Sequence, residues 1–171
     1  YGRVPVWVQN LAISCYGVHL YTLRYGAIQR AHYQALLLSQ WQSAQELREF
    51  QNRAFLSLVR HAFLHVPFYR ALYAEHGVRL QDILSIEDIG KLPCITKEMV
   101  RLKGTEFLSD TVRRSDLTAI STSGTTGTPL TIYFEKSAIQ QNYAFFARSL
   151  QWGGVSVGER SATFAGRPAS S

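Results

Sequence analysis

Apolar residues recur at helical spacing between residues 43 and 66. Ser43 and Glu46 stand three apart at the start of this segment, in the capping-box pattern that satisfies two free amides at a helix N-terminus. Pro67 disfavours helical backbone at the residue before it. The pattern therefore predicts a helix over 43–66, with repeating apolar positions at Leu47, Phe50, Ala54, Leu58 and Ala62.

Shorter elements are predicted between residues 69 and 116. Cap residues mark their starts, and glycine or proline marks their ends. A polar connection is expected over 103–116. The elements before it are a helix over 69–76 stopped by Gly77, a capped turn from Ser85 and Asp88 to Gly90, and a helix over 97–101 capped by Thr96.

Two segments rich in β-branched and aromatic residues, 117–121 and 130–134, predict strands. The eight residues between them suffice for a hairpin but are too few for a crossover between parallel strands. We therefore expect the two strands to pair antiparallel around the loop 122–129.

Another helix is predicted after the second strand. Ser137 and Gln140 again match the capping-box pattern, and Gly153 with Gly154 predicts the stop. A further strand is expected over 161–164. Because the predicted helices come first along the chain and the predicted strands follow only after residue 116, the pattern predicts an α/β fold with an incomplete mixed sheet. The expected apolar face of this helix comprises Ile139, Tyr143, Phe146, Ala147 and Leu150.

The uncharged segment 4–23 is long enough to raise the question of a membrane span. Proline, glutamine, asparagine and histidine interrupt it, so we expect no transmembrane helix. It also lacks the basic start and the small-residue cleavage site of a signal peptide. The segment is instead predicted to be buried or interfacial.

Composition narrows the function classes. The 171 residues are 46% hydrophobic and only 18% charged, which excludes wholesale disorder. The net charge of +6 is scattered along the chain, without the basic stripe and recognition motif of a nucleic-acid-binding protein. Such a balance also suits anionic small molecules. The two cysteines favour a reducing compartment.

The segment 121–130, STSGTTGTPL, carries the most informative chemistry. Glycines let backbone amides approach a ligand, successive amides can form an anion nest, and hydroxyls add donors. Walker A would need an adjacent lysine and a following helix, and a Rossmann fingerprint would need G-x-G-x-x-G opening a helix. The spacing of this segment matches neither motif. Two interpretations remain, a phosphate-binding loop and an ordinary polar surface loop.

The motif SGTTGTP resembles the phosphate-loop signature of the adenylate-forming superfamily. Most members have lysine directly after the proline, whereas this chain has Leu130, as in the branch of phenylacetate–CoA ligases and their relatives in capsular polysaccharide biosynthesis and coenzyme F390 synthesis. The segments HVPFYR at 65–70 and IEDIGKLPCITKEMVR at 86–101 are similar to the same branch. The opening PVWVQNLAISCYGVHLYTLRYG resembles the capsular relatives in particular.

This resemblance implies an enzyme that uses ATP to convert a small-molecule carboxylate into an acyl-adenylate and then passes the acyl group to a thiol such as coenzyme A. It implies that the loop binds the phosphates. The hydroxyl donors would be Ser123, Thr125 and Thr126. The backbone amides of Gly124 and Gly127 would form the anion nest. Thr122 and Thr128 would be second choices as donors.

We expect the chain to be the N-terminal portion of a longer, cytoplasmic protein. Residues 1–116 would form a helical lead-in, and residues 117–171 would begin the α/β nucleotide-binding core of the large domain. Catalytic residues and most Mg²⁺ ligands would then lie outside the chain, so none is named. The sequence leaves open whether the protein forms a homodimer. The alternatives are a non-catalytic binding or assembly module in polysaccharide biosynthesis, and a membrane-associated protein that uses residues 4–23.

Three further features favour structural roles. His61 and His65 are four apart, but Ala62 stands where a H-E-x-x-H motif carries its glutamate, so we expect no metal site there. Cys94 follows a proline in an apolar stretch and is expected in the core. Lys97 follows the cap Thr96 and is expected to be solvated, although it could reach a phosphate.

Overall fold

The computed structural model describes residues 4–122, 129–156 and 158–159. Within these ranges the chain is mostly helical with one small antiparallel sheet, which is compatible with a fragment of an α/β fold. The division at residue 116 stays a prediction. The helices are α1 (Val6–Arg24), α2 (Ala27–Ser39), α3 (Ala44–His65), α4 (Pro67–Glu75), α5 (Lys97–Lys103) and α6 (Lys136–Trp152), and the strands are β1 (Leu117–Ser121) and β2 (Thr131–Glu135).

Helix α3 has the predicted capping box. The Ser43 hydroxyl accepts a hydrogen bond from the backbone N–H of Glu46 at 3.3 Å, and the Glu46 carboxylate accepts one from the N–H of Ser43 at 2.8 Å. The helix ends at His65 because the residue before Pro67 is extended. Pro67 is then the first residue of α4, where its missing N–H costs nothing. Helix α4 therefore begins two residues before the predicted start.

Both predicted glycine stops are confirmed. Gly77 and Gly154 have φ of 65° and 77°, the left-handed conformation that favours glycine. The amide of Val78 bonds to the carbonyl of Tyr73 at 2.9 Å after α4, and the amide of Val155 bonds to that of Leu150 at 3.1 Å after α6. These bonds are the Schellman pattern, which satisfies carbonyls that a helix end leaves free.

The short elements also begin at their predicted caps. Ser85 and Asp88 form a capping box for the 3₁₀ helix Ile86–Lys91, and the Thr96 hydroxyl accepts from the N–H of Met99 at 3.2 Å at the start of α5. The connection after α5 contains two further 3₁₀ turns, Gly104–Phe107 and Arg114–Asp116.

Strands β1 and β2 pair antiparallel, as predicted. Leu117 lies opposite Glu135 and Ser121 lies opposite Thr131, so the register runs unbroken between them. β1 has its predicted bounds, and β2 begins one residue later than expected. The predicted strand 161–164 lies outside the described residues.

The predicted capping box of α6 is wrong. The helix begins at Lys136 directly after β2, so its N-cap is Glu135 and no side chain caps it. Ser137 consequently lies within the first turn, and Gln140 falls on the buried face of the helix. The Gln140 side chain accepts a long hydrogen bond, 3.4 Å, from the backbone N–H of Gln29 in α2.

Buried residues form two clusters. The first core lies where α3, α4 and the 3₁₀ turns meet, and Phe68 stacks there on Phe107 with ring centroids 3.9 Å apart. It comprises Val59, Ala62, Val66, Phe68, Leu72, Tyr73 and Ile83. The second core lies between α2 and α6 and comprises Gln29, Leu36, Ile139, Gln140, Ala144 and Ala147.

The buried face of α6 differs in part from the predicted one. Ile139 and Ala147 are buried as expected, and Tyr143 and Leu150 are half-buried. Phe146 is exposed, whereas Ala144, which was not predicted, is fully buried. A small residue is buried here because α2 packs closely against α6.

Helix α1 covers most of the segment 4–23 and buries none of its residues. Its C-terminal end reaches α6, where the Arg24 guanidinium lies 5.1 Å from the centre of the Tyr143 ring. The prediction of a buried segment is therefore wrong, and the interfacial alternative stays a prediction. Among the described residues, no helix has the length and apolar character needed to cross a membrane.

Candidate functional site

The glycine- and threonine-rich loop is carried by the β1–β2 hairpin, whose two ends are tied together. The N–H of Thr122 donates to the carbonyl of Leu130 at 2.9 Å, and the N–H of Leu130 donates to the Thr122 hydroxyl at 3.1 Å. One pair further down, the hydroxyls of Ser121 and Thr131 lie 3.0 Å apart. We call β1, β2, Thr122 and Leu130 together the stem.

Most predicted phosphate-binding residues, Ser123, Gly124, Thr125, Thr126, Gly127 and Thr128, lie outside the described residues. The structure does describe the residues that flank this segment, Thr122 and Pro129. The stem thus fixes where the chain leaves β1 and where it enters β2.

Thr122 is the predicted site residue whose contacts are described. Its hydroxyl accepts the bond that closes the stem, so one function of this side chain is structural. A hydroxyl also carries one hydrogen to donate, and the closing bond is compatible with a second bond to a ligand.

A strand, not a helix, follows the loop. Walker A requires its phosphate loop to open a helix, whereas residues Thr131–Glu135 form β2. The hairpin therefore agrees with the rejection of Walker A on spacing.

Residues of α5, of the turn after it and of the stem line a common cavity of about 240 Å³. Arg101 comes from the helix and Thr105 from the turn after it, while Leu130 and Thr131 come from the stem. Tyr133 also lines this cavity, and Arg114 lies over its ring at 5.5 Å. A cation-bearing helix thus borders the base of the predicted loop.

Arg101 and Tyr133 were not predicted as site residues. Arg101 ends the segment 86–101 that resembles the branch, whereas Tyr133 stands in no motif, and both line the same cavity. A partial signal exists, since the Thr96 cap predicts the helix that carries Arg101.

The two histidines of α3 lie close to each other and to an acidic loop. Their ring centroids are 5.1 Å apart, and Nδ1 of His65 lies 3.0 Å from a carboxylate oxygen of Asp110. The backbone N–H of Asp110 also donates to the carbonyl of His65 at 2.8 Å. These contacts tie the loop after α5 to the end of α3. No group of three or more histidine, cysteine or acidic side chains is placed to hold a metal ion in the described ranges.

Cys94 and Lys97 lie near the start of α5. Cys94 is exposed, so the prediction that it lies in the core is wrong: the chain around Pro93 runs along the surface. Lys97 is exposed in the first turn of α5, as expected of a solvated side chain.

Comparisons with known proteins give the family. No protein-family profile matches the chain. Phenylacetate-coenzyme A ligase of Escherichia coli K12 is 31% identical over 115 residues, which cover 67% of this chain and 26% of the relative. Enzymes of the same name are 31% identical in Aromatoleum evansii and 30% identical in Thermus thermophilus, with coverage of 68% and 67% of this chain and 27% and 26% of the relative.

By these matches the chain belongs to the adenylate-forming superfamily, in its phenylacetate–coenzyme A ligase-like branch. This confirms the resemblance to phenylacetate–coenzyme A ligases, whereas the closer likeness to the capsular relatives stays a prediction. The chain spans about a quarter of the length of the curated relatives it matches.

Proposed function

We propose that this chain supplies the phosphate-binding loop of an ATP-dependent carboxylate ligase. The enzyme joins a carboxylate to AMP as an acyl-adenylate and then transfers the acyl group to a thiol, with coenzyme A as the expected acceptor. Family membership and the names of the relatives support this class of reaction. The two exposed, unpaired cysteines, Cys15 and Cys94, support a reducing compartment such as the cytoplasm.

The observation that carries the proposal is the closed stem. Two hydrogen bonds between Thr122 and Leu130 bring together the ends of the seven-residue segment between them, Ser-Gly-Thr-Thr-Gly-Thr-Pro, which is rich in hydroxyls and glycines. Holding the ends of a short segment reduces the entropy it must lose when its donors converge on a ligand. A polyphosphate suits such a set of donors.

In the first step a carboxylate oxygen attacks the α-phosphorus of ATP. A new P–O bond forms, the bond to the β-phosphate oxygen breaks, and pyrophosphate leaves with the electron pair of that bond. We assign the hydroxyls of Ser123, Thr125 and Thr126 and the amides of Gly124 and Gly127 as donors to this growing negative charge. Thr122 and Thr128 are second choices for the same task.

In the second step a thiolate attacks the acyl carbonyl carbon, and AMP leaves as the carbonyl re-forms. We assign no residue of this chain to that step or to Mg²⁺. As the family resemblance implies, most ligands for Mg²⁺ are expected outside this chain. We do not assign the identity of the carboxylate substrate.

The test is ATP–pyrophosphate exchange in the full-length protein that carries this chain, with phenylacetate and other carboxylates. Thr125→Ala and Thr126→Ala should each lower the exchange rate by about 10²–10³-fold, because each removes a donor to charge that grows in the transition state. The KM for the carboxylate should change far less. Gly127→Ala should slow exchange as well, because its Cβ would block close approach of a phosphate.

Ser115→Ala is the matched control, since it removes an exposed hydroxyl from the turn before β1. Near-normal exchange in all three loop variants would mean that the loop is only a connection. If the unchanged protein bound ATP but exchanged with no carboxylate, the non-catalytic binding module would replace the enzyme.

A further inference from the structure

Helix α1 presents an uncharged and largely apolar surface. It is 19 residues long and buries none of its residues. The segment 4–23 contains no aspartate, glutamate, lysine or arginine, whereas roughly a quarter to a third of the residues on a soluble surface are charged. Helix α1 is therefore unlike an ordinary solvated helix, and we expect another surface to cover it.

Five exposed positions of α1 form one continuous stripe. They follow one another in steps of four, three, four and three residues, the spacing that keeps side chains on one side of a helix and lets a second helix pack there. The four apolar members are 57–69% exposed, and the serine is exposed as well. We call this set the α1 stripe: Trp7, Leu11, Ser14, Val18 and Tyr21.

The α1 stripe lies on the side of the helix that faces away from the rest of the described residues. Leu20 and Leu23, which are half-buried, lie on the other side of α1, at the end that reaches α6. Contacts among the described residues thus use one side of α1 and leave the stripe uncovered.

The stripe is complementary to itself when the helix is reversed. Trp7 and Tyr21 each stand seven positions from Ser14, and the smaller Leu11 and Val18 stand three and four positions from it. In an antiparallel pair of α1 helices, Trp7 would meet Tyr21 of the second copy, and Leu11 would meet Val18. The small Ser14 would meet itself where the helices cross. A two-fold interface requires this reciprocity.

Charge and area also favour a second copy as the occupant. Two chains of net charge +6 repel each other, and contact through the uncharged segment 4–23 keeps their charges away from the interface. Full coverage of the four apolar side chains in both copies would bury about 1,000 Å², the least that a specific interface needs. A helix that lies in a membrane interface instead keeps a charged face towards water, which α1 lacks.

We propose that two copies of this protein associate through the α1 stripe, as an antiparallel helix pair with Ser14 on the two-fold axis. The small area predicts a dissociation constant in the micromolar range. The proposal does not depend on the reaction that the protein catalyses.

The experiment is analytical ultracentrifugation of the full-length protein that carries this chain. Leu11→Glu should weaken dimerisation about 100-fold, because it places a carboxylate in an apolar interface twice. Tyr16→Glu makes the same change in net charge at an exposed apolar residue on the other side of α1, and should stay within about twofold of the unchanged protein. Because α1 buries none of its residues, neither change should shift the urea midpoint, and this checks that the variants fold.

A charge pair tests the antiparallel arrangement. Val18→Lys alone should weaken dimerisation as Leu11→Glu does. The two changes in one chain should recover most of the lost affinity, because each glutamate then faces a lysine of the second copy. A parallel pair would instead bring like charges together, so weak dimerisation of the double variant would overturn the proposed arrangement.

A disulfide locates the two-fold axis. Both native cysteines, Cys15 and Cys94, are exposed and are first replaced by serine. Ser14→Cys should then give a disulfide-linked dimer under mild oxidation, since its two thiols face each other. Ala12→Cys, an exposed position on the other side of α1, is the control and should give far less.

A full-length protein that stays monomeric well above micromolar concentration would overturn the proposal. If that monomer floated with vesicles of phosphatidylcholine and phosphatidylglycerol, and Leu11→Glu released it, the α1 stripe would contact membranes instead. A dimer that Leu11→Glu leaves intact would also overturn the proposal, because the two copies would then meet through another surface.

Discussion

The two cores of the molecule differ in how far apart their residues lie along the chain. The first core draws its buried residues from 59–83, and neighbouring helices bring them together. The second core joins α2 to α6, and its linking pair, Gln29 and Gln140, is 111 positions apart. Closing a long loop costs more entropy than closing a short one, so for equal burial the second core would be the less stable.

The helix N-termini differ in the same direction. In the first core, α3 begins with a capping box, although α4 has no side-chain cap; each core has one helix that ends at a left-handed glycine, Gly77 after α4 and Gly154 after α6. In the second core, neither α2 nor α6 has a side-chain cap at its N-terminus. Local signals thus support the first core, whereas the second depends on contacts made only after the chain has folded back. We infer that the second core opens first.

This difference bears on the site, because the second core holds one end of the stem. Helix α6 starts at Lys136, directly after β2, so packing of α6 on α2 fixes where β2 ends. The other strand, β1, follows the loop that is tied to His65 by Asp110. The stem therefore lies between the two cores, and its geometry depends on the weaker one.

The largest effect is expected from Phe68→Ala in the first core. Truncation of a buried aromatic side chain costs about 3–5 kcal/mol, and here it also removes the stacking partner of Phe107. Urea unfolding of the 171-residue chain should show the loss. Hydrogen exchange should show faster exchange of amides in α3 and α4.

Phe50→Ala is the matched control, because Phe50 lies exposed on α3 and its truncation should change stability by less than about 0.5 kcal/mol. Phe68→Leu provides a milder variant if Phe68→Ala does not fold. Equal losses for Phe68 and Phe50 would contradict the first core as described.

The next effect is expected from Ala144→Leu in the second core. Ala144 has no exposed surface, so a larger side chain must push α6 away from α2 at a cost of about 1–3 kcal/mol. Hydrogen exchange should become faster in α2 and α6 and stay unchanged in α3 and α4. Ala138→Leu makes the same change at an exposed position of α6 and should have little effect. Faster exchange across both cores would mean that they open as one unit.

The first core and the hairpin were largely predictable from the sequence. The caps at Ser43 and Thr96, the stop at Gly77 and the strand β1 depend on residues close to one another, and each lies where its pattern placed it. Antiparallel pairing followed from the shortness of the loop. Local patterns succeed here because local interactions determine these elements.

The second core was not predictable in the same way. Helix α2 has no cap motif, and Gln140 looked like a capping residue although its role is a buried contact with α2. Ala144 is buried because of a helix more than a hundred residues earlier, which no local pattern contains.

A smaller effect is expected from Gly26→Ala at the start of α2. A Cβ on Gly26 would lie 2.7 Å from the side-chain amide nitrogen of Gln140, which is closer than such atoms pack. Because Gln140 is the flexible end of a side chain, we expect a cost of only about 1 kcal/mol in urea unfolding, at the low end of overpacking.

The double variant with Gln140→Ala tests whether this contact is the cause. The Gly26→Ala change should cost much less in the Gln140→Ala background, since the clashing atoms are gone. Gly17→Ala, at an exposed glycine of α1 with open space around it, is the control. Costs that simply add would show that Gly26 and Gln140 do not meet.

The smallest effect is a pH dependence confined to the first core. A hydrogen bond from Lys91, with further bonds from the amides of Leu84 and Ser85, lowers the pKa of Asp88 to about 2 from its ordinary 3.8. A lowered pKa means that the folded protein favours the carboxylate, so this stabilisation is present above pH 3.8 and disappears as the pH falls towards 2. Asp88→Asn should therefore be less stable than the unchanged chain at pH 6. The difference in stability should shrink as the pH falls from 3.8 to about 2.

Urea unfolding at several pH values measures that difference, and hydrogen exchange locates it. The Asp88→Asn variant should show faster exchange near the 3₁₀ helix Ile86–Lys91 and no change in α2 and α6, because neither of those helices begins with an acidic side-chain cap. Glu75→Gln removes an exposed carboxylate at the end of α4 and serves as the control. A loss of stability that does not change with pH would show that the charge of Asp88 contributes nothing. Charged caps would then not explain why the first core should be more stable than the second.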